Sequence, residues 1–208
     1  MMLHEPMTLV TDYALGALCV VLAIRMRSRG LPQNRSDWTA ALFACAVAAF
    51  AGGTYHGFLP WIDDTVAAGL WRLTLLAIGW AAYAAVVATC RAHLGGRQRT
   101  VIWIARAQFG IYALAAIASG EFIVAIIDYS LAFAFVLAVH GWAWRRHSDS
   151  AARTVVGGVL VTFAAAGIQA VGIAPHRAFN HNDLYHVVQM AGTALLYRGA
   201  LTSARRSI

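Results

Sequence analysis

Seven apolar stretches of helical length divide the chain, at about 8–25, 38–55, 66–90, 100–118, 121–144, 154–174 and 183–200. A bilayer-spanning helix needs about 20 mostly apolar residues, so each stretch predicts a membrane helix. The segments between them are short, and none is polar or long enough to form a soluble domain of its own. The pattern therefore predicts an all-α, polytopic membrane protein, a single seven-transmembrane-helix domain over residues 1–208. Polar positions interrupt it in two places. "GGTYHGFLPWIDDT" (52–65) closes the second stretch, and "FNHNDLYHVVQMAGT" (179–193) opens the seventh. In the seventh, Asn182, His186, Gln189 and Thr193 follow one another at spacings of four, three and four, which is one face of a helix. Such a stripe in a membrane helix must face protein or water.

Composition strengthens this reading. Of 208 residues, 60% are hydrophobic and 12% charged, about half the charged share of a soluble domain, and the mean hydropathy is +0.63. The net charge of +7 raises the question of a nucleic-acid partner, and the placement of the charge answers it. All 16 basic residues are arginine. Arg25, Arg27, Arg29 and Arg35 follow the first stretch, and Arg91, Arg97 and Arg99 follow the third. Arg145, Arg146 and Arg153 follow the fifth, and Arg198, Arg205 and Arg206 close the chain. The positive-inside rule places those segments in the cytoplasm, with the N-terminus periplasmic, the C-terminus cytoplasmic and a bacterial inner membrane as the expected location. The charge orients the chain, and no nucleic acid is implied. The opening "MMLHEPMTLVTDY" has no Lys or Arg, and the charge follows the apolar run. That is the reverse of a signal peptide, so the first stretch reads as a membrane helix. Cys19, Cys45 and Cys90 show no paired spacing and read as small core residues.

With this orientation, Glu5, Asp12, Asp63, Asp64, Glu121, Asp128 and Asp183 fall on the outer half, as do His4, His56, His176, His181 and His186. Ionisable groups at membrane depth are expensive and usually mark a site, so chemistry is expected at the outer end. Imidazoles with a carboxylate or water in tetrahedral array describe a catalytic zinc site. His56 and His186 fall at matching depth, with His181 and Asp183 as further candidate ligands for Zn2+. Ligating histidines hand their other N–H to a carboxylate, which makes Asp12, Asp64 and Asp128 candidate supports. Asp63, Thr54, Asn182 and Gln189 complete that supporting shell. Asp64 and Arg72 read as catalytic residues, a base beside the metal and a cation beyond it. The structural alternatives are an Asp64–Arg72 or Asp128–Arg72 ion pair, and a cap from Asp183 in a capping box with Asn180. His4 and His176 read as carbonyl-bonded interface histidines, Arg106 and His140 as structural, and Tyr55, Trp61, Trp71 and Tyr185 as an aromatic belt. No serine elbow, phosphate-binding glycine loop or HExxH helix is present.

Seven helices, a histidine closing helix 2, an aspartate soon after it and a histidine motif opening helix 7 resemble the CREST superfamily. That group includes the alkaline ceramidases and the progestin and adipoQ receptors. Its pattern is a serine four residues before the helix-2 histidine, an aspartate further on, and HxxxH in helix 7, with three histidines on zinc. His56 matches the helix-2 histidine, His186 the second helix-7 histidine, and Asp64 or Asp63 the aspartate. Gly52 stands at the serine position, with Thr54 the nearest hydroxyl, and Asn182 stands at the first helix-7 histidine. His181 or Asp183 is then the substitute ligand, and "FNHNDLYH" is similar to a divergent bacterial branch.

The resemblance implies a zinc-dependent membrane hydrolase that cuts a lipid amide or ester, with a membrane lipid as substrate. Two other classes fit the same residues. One is a receptor or sensor that binds lipid or metal without catalysis. The other is a haem-binding electron carrier using His56 and His186 on facing helices.

Overall fold

A computed structural model describes residues 3–28 and 33–203, so Arg29, Arg205 and Arg206 lie outside the described residues. Among the described residues there are seven α-helices and no β-strand. They are α1 (Pro6–Arg27), α2 (Gln33–Phe58), α3 (Asp64–His93), α4 (Gln98–Ser119), α5 (Phe122–His147), α6 (Ser150–Val171) and α7 (His181–Ser203). All seven expected stretches are helical, and six of the helices, α1 to α6, are long and apolar enough to cross a membrane. α7 has 23 residues, about 34 Å at 1.5 Å per residue, but its polar stripe lowers its hydropathy.

Local chemistry sets the helix ends. Asp63 caps α3 by accepting from the N–H groups of Thr65 and Val66, and Asp149 caps α6 through Ala151 and Ala152. Gly120 and Gly172 end α4 and α6 in the left-handed region, at φ +66° and +75°. The Gly172 stop closes α6 at Val171, three residues short of the expected boundary. α7 starts in a reciprocal capping box. The Asn180 side-chain oxygen accepts from the N–H groups of Asn182 and Asp183, and Asp183 accepts from the Asn180 N–H.

Consecutive helices pack on one another, and α1 also packs on α7, which closes the ring. α3 lies deepest, flanked by α2, α4 and α5, and its inward face is mostly alanine, including Ala77, Ala81, Ala85 and Ala88. α4 is peripheral and leaves large residues such as Ile111 and Leu114 exposed. Helices that come this close need small residues at the contact. At Gly199 an added Cβ would lie 2.9 Å from the Val155 nitrogen and 3.1 Å from the Ala151 carbonyl oxygen. At Gly192 it would lie 3.2 Å from the Gly158 carbonyl oxygen. The α6–α7 pair is therefore in backbone contact along two turns.

That contact makes a prediction. Gly199→Ala pushes a methyl into backbone that cannot yield, an overpacking change of about 1–3 kcal/mol, and should lower Tm by several degrees in detergent. Gly141→Ala, where nothing lies within 4 Å of the added Cβ, should leave Tm unchanged or raise it. Equal behaviour of the two variants would show that α6 and α7 are not so closely packed.

Candidate functional site

The capping box fixes the first polar group of α7 and thereby the rest of the site. Asp183 is only 1% exposed. One of its oxygens accepts from Asn180 N–H at 2.7 Å, and the other accepts from the Thr8 hydroxyl of α1 at 2.9 Å. One turn along each helix the contact repeats. His186 Nε2 lies 3.1 Å from an Asp12 carboxylate oxygen, and His186 Nδ1 lies 3.0 Å from the Thr11 hydroxyl. Thr8, Thr11 and Asp12 stand at spacings of three and one, a single face of α1. A polar ladder of two rungs thus joins α1 to α7, and all five side chains are buried.

His56 enters from the last turn of α2. Its Nδ1 lies 3.0 Å from Glu5, the residue before α1, and Tyr55 and Trp71 make edge-to-face contacts with it. His56 and His186 are near enough to interact electrostatically. One turn before His56, Gly53 lets α1 approach α2. A Cβ on Gly53 would lie 2.8 Å from Asp12 Cβ, and one on Gly52 would lie 3.8 Å from an Asp12 carboxylate oxygen. It is Gly53, one residue after the expected serine position, that makes room for Asp12 from the neighbouring helix, while a Cβ at Gly52 would meet only ordinary contacts.

Asp12, His56 and His186 all line one cavity of about 320 Å³ inside the bundle. Asn182, Gln169 and Gln189 continue its polar wall along α6 and α7. Gln169 donates to Asn182 at 3.1 Å, while the carbonyl oxygen of Gln189 is buried with no partner among the described residues. Away from this end the lining turns apolar and reaches Met26 and Trp38. From Asp12 to Met26 along α1 is about 21 Å at 1.5 Å per residue.

The other expected site residues fall elsewhere. Asp64 and Arg72 are exposed and do not line the cavity. Eight residues on a helix separate two side chains by about 80° of rotation and 12 Å of rise, so the pair does not meet. Arg72 instead donates to the carbonyls of Ile117, at 3.1 Å, and Ala68. With the Trp71 indole, which donates to Gly120 at 2.8 Å, it satisfies carbonyls at the end of α4. Arg72 thus joins α3 to α4, while Asp64 lies in the first turn of α3. Asp63 is a cap, and Asp128 accepts from Gln108 at 3.2 Å. Thr54 lies 2.9 Å from the Tyr13 hydroxyl and donates to the Phe50 carbonyl. His181 is half-buried in the first turn of α7 and does not line the cavity. His176 accepts the Ala178 N–H within its own loop. Among the described residues, no three His, Cys, Asp or Glu side chains converge as a set able to hold a metal ion.

Sequence reasoning missed Thr8, Thr11 and the role of Glu5. The signal for the threonines was present, since Thr8, Thr11 and Asp12 share one face of an otherwise apolar helix. Threonines in helices commonly bond the carbonyl four residues back, as Thr11 also does to Met7 at 3.0 Å, which hid their outward role. His186→Ala should leave Asp12 buried without its partner, a loss of about 3–5 kcal/mol. His56→Ala, which frees only the half-buried Glu5, should lose less. Thermal unfolding of the two variants in detergent checks the order, and a reversed order would place the closing contact elsewhere.

No curated protein and no solved structure matches the chain. A family of unknown function (DUF6962) matches residues 7–205, nearly the whole bundle and every residue of the polar ladder, and the chain belongs to that family.

Proposed function

We propose that this chain is an integral membrane protein of seven spanning helices that binds a membrane amphiphile in its cavity and hydrolyses a lipid amide or ester there. The observation that carries the proposal is the shape and chemistry of this cavity. It has carboxylate and imidazole groups at one end and a long apolar run behind them, so a polar head and an acyl chain each find a matching environment. The unpartnered Gln189 oxygen offers a place for an N–H or O–H of the bound head. A buried polar atom left unmatched in an apolar bundle is costly.

α7 is the seventh span in this reading, with its polar stripe turned to the cavity and to α1. The arginine-rich ends lie in the cytoplasm, which places the N-terminus and the ladder at the periplasmic face of a bacterial inner membrane. A reporter active only in the periplasm, fused at the C-terminus, should stay silent. Activity there would invert the orientation.

Zinc fits the donor types at the polar end. Two ligands of a tetrahedral zinc, each about 2.0 Å from the metal, stand about 3.3 Å apart, and His186 Nε2 and Asp12 Oδ1 stand 3.1 Å apart. His56 lines the same end as a donor of the right type, and because the three side chains do not converge on one point here, they would have to draw together to hold the ion. Asp183 leaves the donor set proposed from sequence, because both of its oxygens are taken by Thr8 and Asn180, and Asp12 replaces it. When bound, the metal would supply Lewis-acid polarisation and a more acidic water. The chain's own residues orient and exchange protons. Thr11 holds the His186 ring, the Asp12 oxygen not turned to His186 is the proton acceptor nearest the head of the amphiphile, and the apolar walls exclude bulk water. The close Asp12–His186 pair leaves no room for a porphyrin on that nitrogen, which disfavours a haem carrier.

Asp12→Asn keeps the volume and removes the charge. It should lower hydrolysis of an acyl-lipid panel by about 100-fold or more while the protein still folds and elutes as a single species. Zinc content of detergent-purified protein should fall in His56→Ala and His186→Ala. Full activity in Asp12→Asn would remove Asp12 from the chemistry. Amphiphile binding without hydrolysis by the wild type would make the protein a lipid sensor.

A further inference from the structure

Arg106 stands on the most exposed helix of the bundle, eight residues, or about 12 Å, into α4. It is exposed, and so is Trp103 at 59%, on a helix apolar enough to cross a membrane. An arginine in such a segment is expensive unless it meets a partner. Among the described residues no carboxylate supplies one. Asp128, the acid of α5 that reaches α4, accepts from Gln108 instead. The guanidinium is nonetheless held in place. Its Nε donates to the Tyr83 hydroxyl of α3 at 3.0 Å, and its carbon lies 4.8 Å from the centre of the Trp103 ring. This leaves the two terminal nitrogens without an acceptor among the described residues. Arg99, Trp103 and Arg106 follow at spacings of four and three, so a second cation shares this face toward the arginine-rich end.

We propose that Arg106, set by Tyr83 and Trp103 and assisted by Arg99, is a binding site for the phosphate of an anionic phospholipid lying against α3 and α4. The anion is required because a fixed, exposed cation with free donors is unmatched by any acid of the bundle. It is a lipid phosphate because the surrounding face is apolar, and a planar guanidinium binds phosphate through paired N–H groups. The site lies outside the cavity and does not depend on what the cavity does. Basic positions of this kind at the cytoplasmic ends of membrane helices recognise anionic headgroups.

Native mass spectrometry of the full chain in detergent, with phosphatidylglycerol or phosphatidylcholine of the same acyl chains, tests this. The wild type should retain phosphatidylglycerol preferentially, and R106Q should bind it about tenfold more weakly, the loss of one charge-assisted contact. Y83F keeps the charge and removes the hydroxyl that aims it, with an expected loss of about threefold, and it carries the test should R106Q fail to fold. Excess inorganic phosphate should not displace the lipid. Equal retention of both lipids, unchanged binding in R106Q and Y83F, or displacement by inorganic phosphate would each overturn the proposal. So would a change of oligomeric state in R106Q without loss of lipid, which would assign the face to a second copy of the chain.

Discussion

The buried contact between Asp12 and His186 is the constraint on which the bundle turns. All seven helices pack on their neighbours in chain order, but the ring closes where α1 meets α7. That closure is polar: two threonines, two aspartates and a histidine, all buried, satisfy one another across it. Breaking a buried pair leaves an uncompensated group in low dielectric, which is far worse than never having had it. The ladder therefore acts as a register pin, since sliding or rotating α7 against α1 would orphan several groups together.

The rest of the architecture makes that contact reachable. Asp12 points toward α7 and also touches α2, and it does so because Gly53 removes the side chain that would hold α1 away. On the far side of α7, Gly192 and Gly199 bring α6 into backbone contact. α7 is thus held by small residues on one face and by hydrogen bonds on another. With its polar stripe turned inward, it can be less apolar than its neighbours without exposing a charge.

The same arrangement makes the cavity. The alanine-rich face of α3 and the glycines of α2 leave space in the middle of the ring, and the ladder supplies the polar end of that space. Most inward polar groups come from α1, α2, α6 and α7, joined by Thr74 and Trp71 of α3 and Tyr129 of α5, whereas Arg72 of α3 turns toward the end of α4. α4 itself stands outside the ring, which separates the Arg106 face from the cavity both in position and in chemistry.

The sequence alone determined what depends on periodicity and neighbours along the chain. The seven helical stretches are legible as apolar runs, the α7 cap as Asn180 with an acid three residues later, and the inward stripe of α7 as residues recurring every three or four positions. His56 and His186 could be paired by depth, because each lies a fixed rise from a helix end. Tertiary structure decided the partners. A helix position fixes a residue's direction relative to its own axis, but only packing fixes which helix stands in that direction. Asp183 and Asp12 looked alike as acids near one end of the bundle. Packing turned one into a cap bonded to Thr8 and placed the other against the imidazole. Asp64 and Arg72 shared a helix but not a face, and the carbonyls at the end of α4 claimed the arginine. Glu5, which no periodic pattern marks, became the partner of His56 because the segment before α1 crosses the end of α2, where the His4 N–H bonds the Gly57 carbonyl.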